Sequence, residues 1–204
     1  LRAASSQGIR FMVSEMSRGD LLPVRPNEGV YSLLQPDVLF IPRHPTSIGY
    51  NASSGLTGVP GSQPDEFNYF YGPNGIFRSP NGDPYYSTSQ SYAQIVNLES
   101  DAHLTYMLRY EMYPTMFHQA NFSRYDSGKT LFTDVIDATL RKFTRLSNLP
   151  VVSLSQSDLG RLLAVTERIL RDEETDQDFQ LIFAPGSSLG GARPKASVID
   201  QHGR

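Results

Sequence analysis

Val38-Leu39-Phe40-Ile41-Pro42-Arg43-His44 is the stretch on which the fold turns. Four apolar residues closed by a proline, then two basic side chains, read as a buried strand with functional groups at its carboxyl end. Three other short runs have the same character: Ile9 to Val13, Thr115 to Phe117, and Val151 to Leu154. Two helical patterns lie among them. From about Ser89 to Tyr110, Ile95, Leu98, Ala102 and Tyr106 recur at helical spacing. From about Leu131 to Leu146, Phe132, Val135, Ile136, Leu140 and Phe143 do the same, with Thr130 as N-cap. Strand, helix, strand, helix, strand predicts an α/β layer or barrel of interior parallel strands.

The composition supports a packed core, with 39% hydrophobic and 19% charged residues in a chain of 204. Sixteen glycines and fourteen prolines predict many turns and long ordered loops. The longest such loop, residues 51–88, carries Phe67, Tyr69, Phe70, Tyr71, Phe77, Tyr85 and Tyr86. Tyrosine-rich ordered loops suit sugar or peptide ligands, although a structural lid has the same composition. With no cysteine, thiolate catalysis, Cys-zinc sites and disulfides are excluded. A net charge of −3 argues against a nucleic-acid partner, which calls for a basic face. No apolar run approaches the roughly 20 residues of a membrane span.

A composition change near 153–157 suggests a domain break, giving units 1–153 and 154–204. The second would hold an amphipathic helix through Leu159, Leu162, Leu163, Thr166, Ile169 and Leu170, and an acidic stretch from Asp172 to Asp178. Beyond these come an apolar run at Leu181-Ile182-Phe183, a Gly-rich turn and a strand-like Ala196 to Ile199.

Two histidines follow strand runs directly, His44 and His118, and ligands of α/β sheets bind at the carboxyl ends of strands. Rim histidines there suit proton transfer or metal binding, with Arg43, Gln119 and Asn121 beside them; a hydrogen-bonded structural histidine is the plain alternative. Glu99 and His103, four residues apart, share a helix face and could chelate a metal. Lacking a third ligand, they read more simply as a solvated or capping pair. Gly128-Lys129-Thr130 is no phosphate loop, because the glycine needed five positions earlier is Ser123. The string Gly186 to Lys195 is a sharper anion-binding candidate, with adjacent glycines Gly190 and Gly191 and two cations, Arg193 and Lys195.

Residues 1–153 resemble carbohydrate deacetylases of the NodB-like superfamily, in the exopolysaccharide (aminogalactan-type) branch. The resemblance is carried by Ile41-Pro42-Arg43-His44-Pro45-Thr46, Tyr50-Asn51, Asp65-Glu66-Phe67-Asn68-Tyr69, Leu104-Thr105-Tyr106 and Met116-Phe117-His118-Gln119-Ala120-Asn121. It implies a distorted (β/α) barrel, here a partial one, that removes N-acetyl groups from an acetylated polysaccharide. A divalent, zinc-like metal would lower the pKa of a bound water. His118 then matches the histidine that protonates the leaving amine, and Arg43 the arginine that orients the catalytic base. His44 sits beside them in the catalytic set. Met116 and Phe117 would line an acetyl-methyl pocket, with Asn121 and Tyr69 also on the substrate. The aspartate base and the Asp-His-His metal set are expected upstream of Leu1, so the metal ligands stay unknown and the barrel incomplete.

Residues 155–204 resemble HipA-type serine/threonine kinases, through Glu167-Arg168 and Ala184-Pro185-Gly186-Ser187-Ser188-Leu189-Gly190-Gly191-Ala192-Arg193-Pro194-Lys195. That alternative implies ATP and Mg²⁺, with Ser188 as the phosphorylated serine, Gly190 and Gly191 in the ATP-covering loop and Lys195 beside them. The ATP lysine and catalytic aspartates would follow Arg204. A third reading is a non-catalytic chimeric remnant. A deacetylase would be expected outside the cell or at its surface, a HipA-like kinase in the cytoplasm.

Overall fold

The computed structural model describes residues 1–15 and 27–183. They fall into two compact units, one drawn from Leu1–Pro42, Tyr110–Tyr113 and Leu149–Arg204, the other from Arg43–Arg109 and Pro114–Asn148. The Gly186 to Lys195 string, with Ser188, Gly190, Gly191 and Lys195, lies outside the described residues, as does Ala196 to Ile199.

The first unit contains α1 (Arg2–Ser6) and a three-stranded sheet of β1 (Phe11–Glu15), β2 (Val30–Tyr31) and β3 (Leu39–Arg43), in the order β1-β3-β2. The central strand carries most of the apolar run from Val38 to Ile41, and Val38, Leu39 and Ile41 are fully buried. β2 pairs with it antiparallel, Val30 opposite Phe40 and Tyr31 opposite Leu39. Leu39 and Ile41 form a core with Tyr113 and with Leu159, Leu163 and Ala164 of α5 (Gln156–Leu170). Helix α5 therefore packs on the sheet, although it lies beyond the break expected near 153–157. Gly160 permits this contact, since a Cβ there would stand 2.2 Å from Cγ of Phe11. Ser155 caps α5 by accepting from the Asp158 N–H. The final helix, α6 (Asp176–Phe183), takes in the apolar run at 181–183.

The second unit is mainly helical. Helix α2 (Gln63–Tyr71) rises inside the stretch expected to be loop, capped by Ser62 and opened by Pro64, Asp65 and Glu66. Helices α3 (Tyr92–Leu108) and α4 (Leu131–Leu146) pack together, with Thr130 capping α4 as expected. Lys142 of α4 staples the pair by donating to the Ser100 hydroxyl at 2.7 Å and the Asn97 carbonyl at 3.0 Å. The core here is Ile48, Ala52, Phe67, Ile95, Leu131 and Val135.

The expected run of interior parallel strands is not what these residues form, and no barrel is seen among them. β1 is an edge strand on which Val13 is exposed. Thr115 makes a single parallel bridge to His44, and residues 151–154 form no strand, with Val151 and Val152 exposed. Short apolar runs cannot by themselves distinguish a strand from an extended segment.

Candidate functional site

The second unit gathers most of the expected site residues at one junction. The His44 N–H donates to the Pro114 carbonyl at 2.9 Å, and the His44 carbonyl accepts from the Met116 N–H at 2.8 Å. Thr46 Oγ1 adds a bond to the Met116 carbonyl at 3.1 Å. Residues 44–46 and 114–116 are thus zipped together, which sets Phe117 and His118 beside the loop that follows His44. The His44 ring is buried and stacked parallel on Tyr106, with centroids 3.7 Å apart. His118 is partly open, and its ring meets the exposed Tyr50 edge-on at 4.6 Å. Arg43 ends β3 with a buried Nε that has no hydrogen-bond partner.

Loop 47–52 is held from three sides. Glu99 Oε1 accepts from the Ser47 N–H at 2.8 Å. The fully buried Gln63 accepts from the Gly49 N–H at 2.8 Å and donates to the Ser47 carbonyl at 2.9 Å. Asn121, also fully buried, donates to the carbonyls of Gly49 (3.0 Å) and Ala52 (2.8 Å), while its Oδ1 accepts from the His118 N–H at 2.7 Å. Its carboxamide is spent inside the protein, so Asn121 fastens the chain that carries His118 to the loop that carries Tyr50.

Glu99 and His103 lie on the buried face of α3 and are not the solvated pair their spacing suggested. Burial, with the nearby His44 adding to it, pulls the His103 pKa down to about 4. Burial pushes Glu99 up, opposed by its bond from Ser47. His103 is therefore neutral at pH 7, and its Nε2, 3.9 Å from Glu99 Oε2, is too far for a hydrogen bond and finds no other. Phe117 packs edge-on to His103 at 6.0 Å and to Phe132 at 5.1 Å. Tyr69 is exposed on α2, with its ring against Phe70.

Sequence reasoning missed Tyr50, Gln63 and the inward turn of Glu99 and His103. The buried face of α3 runs through Ile95, Glu99 and His103, and Leu98 is exposed. A four-residue step from Ile95 to Glu99 to His103 was visible, but polar residues at core positions break the apolar periodicity by which a buried face is found.

A divalent metal finds no ready cage among the described residues: no three His, Asp or Glu side chains converge on one point. Glu99 and His103 approach to 3.9 Å, but they are only two, and one Glu99 oxygen is already bonded to Ser47.

The sequence matches the Agd3 deacetylase domain family over residues 1–177, and the chain belongs to that family. The match includes α5 and runs to Gln177, well into the 155–204 stretch expected to be kinase-like. No curated protein and no solved structure matches the chain. Among the described residues no helix is long and apolar enough to cross a membrane.

Proposed function

We propose that this chain takes part in N-deacetylation of a polysaccharide of acetylated amino sugars, with His118 as the residue that protonates the departing amine. The family match over residues 1–177 carries the reading. The reaction adds water across the acetamide: the C–N bond breaks, acetate leaves with the new oxygen, and the sugar nitrogen takes up a proton. His118 is suited to supply that proton, being partly open, on a backbone pinned by Asn121 and packed against Tyr50. Arg43 keeps its buried Nε–H free for a carboxylate, the partner an orienting arginine needs. His44 supports the site through its backbone bonds to Pro114 and Met116, and its ring is committed to Tyr106. Met116 and Phe117 stand next to His118 in the chain, where an acetyl methyl group would find apolar surface. The test is acetate release from N-acetylhexosamine oligomers by the whole chain with zinc supplied. The reading expects release that is lost in His118→Ala; equal release from that variant would remove His118 from the reaction.

A further inference from the structure

We infer that the outer rings of Tyr69, Phe77 and Tyr85 form a second, non-catalytic binding platform for an uncharged, N-acetylated sugar chain. The choice of ligand rests on the deacetylase reading; the platform itself rests on how residues 63–90 are built.

This segment is ordered by its own hydrogen bonds. After α2 the chain turns at Gly72 to Gly75 and doubles back, so that the N–H groups of Ile76 and Phe77 donate to the carbonyls of Tyr69 (3.0 Å) and Phe70 (2.9 Å). A second turn at Ser79 to Asp83, with Gly82 at φ +87°, returns the chain again, and the Tyr86 N–H reaches the Tyr71 carbonyl at 3.1 Å. Asn68 locks the far end, accepting from the Gln90 N–H at 2.6 Å and donating to its carbonyl at 2.8 Å.

The rings divide into two layers on this frame. Phe67 is buried, and Tyr71 and Tyr86 pack against it at 5.1 and 5.5 Å, anchoring the segment in the core. Outside them Tyr69, Phe77 and Tyr85 are 62%, 46% and 52% exposed, and Ile76 beside them 54%. The exposed rings lean on inner ones, Tyr69 on Phe70 at 5.2 Å, Phe77 stacked on Phe70 at 5.2 Å, and Tyr85 edge-on to Tyr71 at 5.8 Å. Large apolar rings that are both exposed and rigidly held mark a binding surface.

The chemistry selects the occupant. Between Tyr69 and Thr88 the only charged residues are Arg78 and Asp83, one of each sign. A nucleic acid would need a cationic groove around such rings, and this segment supplies one cation balanced by one anion. A neutral sugar ring offers C–H faces and an acetyl methyl to aromatic faces, and hydroxyl groups to the phenols of Tyr69 and Tyr85. An enzyme acting on a polymer has use for such a grip away from the bond it cleaves, since a second contact on the same chain raises the local concentration of substrate.

The test is a calorimetric titration of the whole chain with an N-acetylhexosamine hexamer, compared with Tyr69→Ala/Tyr85→Ala and Tyr69→Phe/Tyr85→Phe. The rings are exposed, so unchanged circular dichroism and thermal unfolding are expected in all three. The platform predicts affinity at least about tenfold weaker in the alanine pair and a smaller loss in the phenylalanine pair. It also predicts weaker binding of the fully deacetylated, cationic hexamer. No binding, or equal binding by the alanine pair, overturns it. Self-association by sedimentation that the alanine pair abolishes, without oligomer binding, assigns the patch to a second copy of the chain instead. Acetate release is scored separately: binding through these rings without release refutes the deacetylation reading alone, and release with binding indifferent to these rings refutes the platform alone.

Discussion

The His118 N–H donates to Asn121 Oδ1 at 2.7 Å, and the same carboxamide holds the carbonyls of Gly49 and Ala52 on either side of Tyr50. One buried side chain therefore sets where the His118 ring stands and what it meets. Replacing Asn121 with alanine leaves the His118 N–H and the Ala52 carbonyl without partners in the interior, and the Gly49 carbonyl with only the Ala52 N–H. The expected cost is about 3 kcal/mol in urea unfolding, with the Tyr50 and His118 ring signals shifted in NMR spectra. Asn121→Asp keeps the acceptor for His118 but sets a buried carboxylate against the carbonyls of Gly49 and Ala52, and should cost at least as much as the alanine variant. An Asn121→Ala variant as stable as the parent, with those signals unmoved, would show that the clamp holds nothing.

His103 gives the protein a definable acid sensitivity. Its folded pKa of about 4 lies below the unfolded value of 6.5, so between these values the unfolded chain binds the extra proton. The stability it supports is present above pH 6.5 and lost progressively as pH falls toward 4. Glu99, shifted upward, works the other way: its raised pKa favours the fold below about pH 4.5 and loses that contribution as pH rises through its folded value. Urea midpoints should drop between pH 7 and pH 4.5, and His103→Gln should flatten that slope. An unchanged slope in the variant would assign the acid response to other groups.

Gly160 reverses an ordinary rule. Glycine to alanine within a helix usually gains about 0.5–1 kcal/mol. Here the new methyl would meet the Phe11 ring, and Gly160→Ala should instead destabilise by about 1–3 kcal/mol. A Phe11→Ala/Gly160→Ala double variant should recover part of the loss relative to the sum of the singles. A stabilising Gly160→Ala would mean that α5 does not sit on β1.

Asp178 fastens α6 to α5. Its carboxylate accepts from Arg168 Nε at 2.9 Å, from Arg168 Nη2, and from the Thr175 N–H and hydroxyl, each at 3.0 Å. The Arg168 guanidinium holds the Asp178 pKa well below the usual carboxylate range. In Asp178→Ala, amide exchange across 176–183 should accelerate while that of α4 stays as it was; unaltered exchange at 176–183 would show that the contact does not order the helix.

How far the sequence spoke depended on the kind of signal. Helix α4 was legible to its ends, because Thr130 caps it and its apolar positions keep one period. The central strand was legible from its uninterrupted apolar run and the proline that closes it. Helix α2 escaped because glycine, serine and asparagine crowd its flanks, although Ser62-Gln63-Pro64-Asp65-Glu66 carries a complete start signal. Residues 151–154 misled because valine pairs look the same in a strand and in an exposed connection. At the site, the histidine–aromatic pairing of His118 with Tyr50 spans 68 positions and no local pattern announces it. Asn121 was legible as a site-adjacent residue, but its burial is a tertiary fact: the carbonyls it holds belong to residues about seventy positions away.

The most direct test of the central claim is to count acetate released from an N-acetylhexosamine oligomer by the whole chain, with zinc supplied, beside His118→Ala and Tyr50→Phe. The account predicts release by the parent, near-parent release by Tyr50→Phe, which keeps the ring against the imidazole, and none by His118→Ala. Acetate appearing equally from His118→Ala, or from none of the three, would contradict it.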